Sequence, residues 1–278
     1  MRILVTGAKG QLGTDMVAYL LGTGHDVVGV DKEQLDLSDL GGIGAFLDRC
    51  QPDAIIHCGA YTAVDRAEDE PDTCFLVNSE SVRLMADYCQ KTGALFIFIS
   101  TDYVFDGLKP APYFEGDPTG PVNVYGASKE RAEAYIKQRL TRYFIVRISW
   151  VFGPNGGNFV KTMLRLGSQK DTLQVVADQF GSPTYTMDLV PVLYQMLSST
   201  KYGTYHATNE GECSWHAFAQ EIFRIRGMAV QVEPVPAANF LTKAARPQNS
   251  RMSKSKLKEA GFAAFPTWED ALRRFLTE

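Results

Sequence analysis

Arg2-Ile3-Leu4-Val5-Thr6-Gly7-Ala8-Lys9-Gly10-Gln11-Leu12-Gly13 carries the pattern that sets the fold. A short apolar strand signal runs into a turn with glycines at 7, 10 and 13. From Gln11 onward Leu12, Met16, Val17, Leu20 and Leu21 recur at helical spacing. Glycine tolerates positive φ and carries no Cβ to block a pyrophosphate. The helix start adds free amides and the positive end of a dipole. The spacing is G-x-x-G-x-x-G and not the commoner G-x-G-x-x-G, so a tight strand-to-helix turn without a ligand stays open at this point.

The same rhythm continues outward. Strands are predicted over 26–30, 54–58, 95–100 and 143–149, and helices over 40–50, 73–91 and 125–140. Apolar strands alternating with helices imply a parallel sheet covered on both faces. Right-handed crossovers make it doubly wound. After residue 150 the rhythm breaks at Gly153-Pro154-Asn155-Gly156-Gly157 and Gly181-Ser182-Pro183. The expected organisation is a dinucleotide-binding domain over 1–150 and mainly a smaller C-terminal substrate-binding lobe over 151–278. Helix 188–197 and a strand near Thr204–Ala207, within 186–208, are expected to return to the main sheet, and a further helix is expected over Trp215–Arg226.

Composition excludes several classes. Apolar residues are 45% of 278 and charged residues 22%, which suits a folded α/β chain. A net charge of −4 argues against a nucleic-acid partner. The five cysteines contain no CxxC, so reduced thiols and a cytoplasmic location are expected. The four histidines lack ligand spacing, and no metal site is predicted. Met1-Arg2 leads at once into an apolar strand, so no signal peptide is expected. No apolar run reaches about 18 residues, so no membrane span is expected.

Chemistry enters with Tyr125 and Lys129, four apart at a helix start and therefore on one face. A tyrosine near pKa ~10 is a poor acid–base group at neutral pH. A nearby ammonium would lower that pKa, and Tyr125 could then protonate an oxygen that becomes an alkoxide. Thr101, 125 − 101 = 24 residues upstream at a strand end, can add a second hydrogen bond to that oxygen. Asp31 lies 31 − 10 = 21 residues past the middle glycine, where an acid can bind adenosine ribose hydroxyls and favour NADH. Lys9 and Lys32 would favour the 2′-phosphate of NADPH, so either cofactor is admitted. Asp36 and Leu37 lie where they can reach the adenine, or form a solvated turn.

Longer motifs are carried by the whole chain. They are Gly59-Ala60-Tyr61-Thr62-Ala63-Val64-Asp65-Arg66-Ala67-Glu68, Ser100-Thr101-Asp102-Tyr103-Val104-Phe105-Asp106-Gly107, Tyr125-Gly126-Ala127-Ser128-Lys129, Arg147-Ile148-Ser149-Trp150-Val151-Phe152-Gly153, Asn158-Phe159-Val160-Lys161-Thr162-Met163, Asp178-Gln179-Phe180-Gly181-Ser182-Pro183-Thr184 and Arg246-Pro247-Gln248-Asn249-Ser250. With them the sequence resembles the dTDP-4-dehydrorhamnose reductases, a family of the extended short-chain dehydrogenase/reductase superfamily with a Rossmann-like fold. The resemblance implies reduction of the C4 ketone of dTDP-4-dehydro-6-deoxy-L-mannose to dTDP-L-rhamnose. It implies Thr101, Tyr125 and Lys129 as the catalytic trio. Gly7, Gly10, Gln11, Leu12 and Gly13 match the pyrophosphate loop, Asp31, Asp36 and Leu37 the adenosine side, and Ala60 and Tyr61 a strand end beside the cofactor. Thr62, Tyr103 and Trp150 match positions around the sugar. Trp150 would offer a flat wall with an N–H at its edge. Arg246, in a locally basic stretch, is the expected diphosphate contact.

Some family members dimerise through magnesium held by glutamates. Asp15 stands at the early position here and Thr186-Met187-Asp188 lacks the expected glutamate, which argues against a metal bridge but leaves a homodimer open. A 4,6-dehydratase would carry Asp and Glu after the strand-end Thr, whereas Tyr103 follows Asp102. Epimerases fit the 101–107 run less well. The GDP-fucose synthase type needs a cysteine that is missing after Thr101. Another nucleotide-sugar 4-ketoreductase would match the same motifs. The regulatory subunit of methionine adenosyltransferase, a cofactor-binding partner protein, is the rival from another class.

Overall fold

The computed structural model describes residues 1–277; Glu278, last in the expected second lobe, lies outside them. Strands β1 (Arg2–Thr6), β2 (Asp26–Val30), β3 (Ala54–His57), β4 (Leu95–Thr101) and β5 (Tyr143–Ile148) form one sheet with the later strand Gly203–His206. The order is Gly203–His206, β5, β4, β3, β1, β2, and every pairing is parallel. Helices are α1 (Gln11–Leu21), α2 (Leu40–Cys50), the short α3 (Val64–Ala67) and α4 (Pro71–Phe75), α5 (Ser81–Thr92) and α6 (Val124–Arg139).

The strand period of two sends alternate residues to two cores. Ile3, Val5, Ile56, Ile97 and Val146 pack on Met16 and Leu20 of α1. Leu4, Ile55, Phe96, Phe98 and Ile145 pack on Ile43 and Leu47 of α2, Met85 of α5 and Ile136 of α6. All seven residues of β4 are buried, which explains the unbroken apolar run Leu95–Ile99. The strand order reverses between β1 and β3, so a crevice opens at the carboxyl ends of those strands.

The helix predicted over 73–91 is α4, a π turn at Leu76–Glu80, and α5. A π turn admits one extra residue into a helix, and periodicity alone does not reveal it. Here it coincides with contacts to α6: Ser79 Oγ donates to the Ser128 carbonyl (2.6 Å) and Asn78 Nδ2 to Ser128 Oγ (2.9 Å).

After residue 150 the chain contributes to two bodies of packing. Helix Thr186–Leu197 buries Leu189, Leu193 and Met196 in the main core, joined there by Leu257, Phe262 and Phe265. A separate core gathers Phe152, Val160, Met163, Tyr185, Phe218, Ile222 and Leu272. It is built from helices Phe159–Gly167, Trp215–Arg226 and Trp268–Thr277 and the paired strands Thr172–Val176 and Gln231–Val235. Among the described residues no helix is long and apolar enough to cross a membrane, and the five cysteines are free.

Candidate active site

The glycine turn is dictated by contact as much as by φ. Gly7 sits at φ 65°, and a Cβ there would lie 2.7 Å from Gly59. A Cβ on Gly13 would lie 2.0 Å from the Gly7 carbonyl oxygen, so this glycine lets α1 close onto the turn. Gly10 is the N-cap of α1 and supplies no capping side chain. The first amides of α1 therefore keep their donors for an anion. This cradle fits a dinucleotide diphosphate.

Asp31 follows β2 directly. Its carboxylate accepts from the Lys9 and Lys32 backbone N–H groups at 2.9 and 2.8 Å. Asp36 accepts from Ser38 N and Oγ, which hold its carboxyl below the usual range. Lys9 pairs with Glu33, and Lys32 with Asp36 at 3.9 Å. Tyr61 is gripped by Asn78, whose Oδ1 accepts from Tyr61 N (2.8 Å) and whose Nδ2 donates to the Tyr61 carbonyl (3.1 Å).

Helix α6 begins at an Asn123 cap, whose Oδ1 accepts from Gly126 N (2.7 Å). A Cβ on Gly126 would lie 2.1 Å from the Tyr103 carbonyl oxygen. Only glycine lets the Tyr-Lys helix press onto the segment after β4. The rings of Tyr103 and Tyr125 meet edge-on with centroids 5.8 Å apart. Thr101 Oγ1 accepts from Tyr103 N (3.2 Å) and donates to Asp102 Oδ1 (3.1 Å).

The electrostatics differ from the expected lowering of the tyrosine pKa. Burial, then the Asp102 carboxylate, push the Tyr125 phenol up, and the Thr101 hydroxyl opposes them. The Lys129 Nζ lies 4.0 Å from the Phe98 ring centre. Burial brings Lys129 down to about 7, with Glu133 acting to raise it. Glu133 is tied to Arg147 at 2.6 and 2.8 Å and to Ser100 Oγ at 2.7 Å, all within the interior. His57, beside this group, is brought down to about 3 by burial and by Lys129.

Gly7, Gly10, Gln11, Leu12, Asp31, Asp36, Leu37, Ala60, Tyr61, Thr62, Thr101, Tyr103, Tyr125, Lys129 and Trp150 all border one crevice of about 960 Å³. Two expected residues do not border it. Gly13 packs against the turn, as described. Arg246 forms a two-pronged pair with Asp65 at 2.7 and 3.1 Å and hydrogen-bonds toward Tyr103, just behind the wall. Sequence reasoning missed Asp102, Asn78 and Trp215. Asp102 lies within the run Ser100–Gly107, and the sequence signal for Trp215 is its place at a predicted helix start.

A dinucleotide crevice at the switch point, bordered by Thr101, Tyr125 and Lys129, defines the extended short-chain dehydrogenase/reductase class, oxidoreductases that transfer hydride. The family model "RmlD substrate binding domain" matches residues 1–278. The chain belongs to that family. It is 39% identical to the dTDP-4-dehydrorhamnose reductase of Sinorhizobium fredii, over 99% of this chain and 97% of the relative. It is 38% identical to the spore coat polysaccharide biosynthesis protein SpsK of Bacillus subtilis, over 100% and 97%. Among solved structures, the Bacillus anthracis dTDP-4-dehydrorhamnose reductase in complex with NADP superposes with a TM-score of 0.96. It is 43% identical, with 99% of this chain and 98% of that one covered.

Proposed function

We propose that the protein uses NADPH or NADH to reduce the C4 ketone of dTDP-4-dehydro-6-deoxy-L-mannose to dTDP-L-rhamnose. The observation that carries this is Thr101, Tyr125, Lys129 and Trp150 on one crevice with the glycine cradle. A reduced nicotinamide bound there supplies the hydride for C4. Tyr125, kept protonated by burial, gives its proton to the ketone oxygen. Thr101 orients that oxygen through its hydroxyl. Lys129, near neutrality when free, can gain a proton as anionic groups arrive and then hold both the ribose and the phenolate. Trp150 offers the sugar its flat wall. Arg246, beside Tyr103, supports the diphosphate from the second row. Lys9 and Lys32 near Asp31 support a 2′-phosphate, and thus NADPH.

The test mixes protein, the 4-keto sugar nucleotide and each reduced cofactor, and follows nicotinamide absorbance. Oxidation with formation of dTDP-L-rhamnose is expected. Tyr125→Phe should reduce turnover by orders of magnitude while cofactor affinity is retained. No oxidation with either cofactor overturns the substrate assignment, and near-normal turnover of the Phe variant overturns the role of Tyr125.

A further inference from the structure

Trp150 is held in an unusual backbone state. It is one of two non-glycine residues at positive φ among the described residues, at 50°. Such a conformation is unfavourable for a residue with a Cβ and persists only where the surroundings enforce it. Trp215 is one of those surroundings. The two indoles stack with centroids 3.6 Å apart and planes 15° apart. From another side, a Cβ on Gly181 would lie 2.8 Å from Trp150 Cε2 and 3.1 Å from Nε1. Thr184 N donates to the Trp150 carbonyl at 3.3 Å, fixing the backbone.

Trp215 is itself fixed. It opens helix Trp215–Arg226, whose Ser214 cap accepts from Ala217 N at 3.1 Å. Phe159 packs on it with centroids 4.6 Å apart. Trp150 follows β5 of the main sheet, whereas Trp215 belongs to the second core's helix. Both border the crevice.

We propose that Trp215 is a positioning residue for the sugar: by stacking on Trp150 it sets the indole wall that the deoxysugar meets. The inference rests on the reading of Trp150 given above. An indole without its partner would be free to turn, and the sugar, not the nucleotide, would feel the loss. A Trp–Trp stack of this quality corresponds to roughly a two- to tenfold effect on a dissociation constant.

The experiment is calorimetric titration of the full-length protein with dTDP and with dTDP-L-rhamnose. Trp215→Leu should weaken dTDP-L-rhamnose roughly two- to tenfold and leave dTDP unchanged. Trp215→Phe, which keeps a flat ring, should recover most of the loss. If the leucine variant does not fold, Trp215→Phe against Trp215→Met makes the same comparison. An equal loss for both ligands, or none for either, overturns the proposal. Trp150→Leu separates the two readings. Wild-type affinity for dTDP-L-rhamnose in that variant removes the wall itself, whereas a loss there without one in Trp215→Leu removes only the role of Trp215.

Discussion

Replacing Asp102 by asparagine should make the protein's stability less dependent on pH in a defined window. Asp102 is 3% exposed, and its Oδ2 makes no hydrogen bond of good geometry. Burial pushes its carboxyl up from 3.8 to about 6, against the opposing Ser250 and Thr101 hydroxyls. A rise of roughly two units corresponds to ~3 kcal/mol disfavouring the ionised form in the folded state. The sign follows from proton counts. Between pH ~4 and ~6 the folded chain binds this proton more than the unfolded chain does, so stability from this group falls as pH rises. Asparagine has no such loss. Its amide also needs partners, but that cost is the same at every pH. The stability difference, variant minus wild type, should therefore climb by up to ~3 kcal/mol between pH 4 and pH 7 and then level off. Urea unfolding at several pH values measures it. A second readout is kinetic. Because the Asp102 carboxylate raises Tyr125, the alkaline limb of the turnover profile should move to lower pH in the variant. A stability difference that stays flat from pH 4 to pH 7 would refute the reasoning.

Three further outcomes are expected. Lys129, near 7 in the free protein, is mostly neutral at pH 8, so NADH binding should take up as much as ~0.9 proton there, and Lys129→Met should abolish the uptake. Calorimetry in buffers of different ionisation enthalpy reads this, and zero uptake by the native protein contradicts it. Gly13→Ala should cost ~1–3 kcal/mol in urea unfolding and weaken cofactor binding, since its Cβ would meet the Gly7 carbonyl oxygen at 2.0 Å. Asp65→Asn should raise limited-proteolysis rates around the exposed Phe240 and Leu241 up to ~5-fold, because Asp65 ties down Ala244 N and Arg246.

Much of the architecture was readable in order along the chain. The five-residue apolar run Leu95–Ile99 of β4, the period-3.6 face of α1 and the glycine turn are local patterns, and local patterns survive folding. So Asp26–Val30 and Trp215–Arg226 were legible nearly to the residue. The π turn at Leu76–Glu80 was not, because its hydrogen-bond partners lie about fifty residues away on α6. Nor was the pairing of Arg246 with Asp65, 181 residues apart.

Residue types and their order are therefore matters of primary structure: glycines before a helix, Thr101 at a strand end, Tyr125 and Lys129 one helical turn apart. Those are short-range facts of spacing and side-chain chemistry. Their electrostatic state comes from packing. Burial beside Asp102 pushes Tyr125 up, and burial against Phe98 brings Lys129 down to about 7. Ionisation depends on how much water is excluded and which distant charge packs nearby, and neither is a property of spacing along the chain. The same holds for the Trp150–Trp215 stack, which sets the residues just after β5 against a helix start much further along the chain.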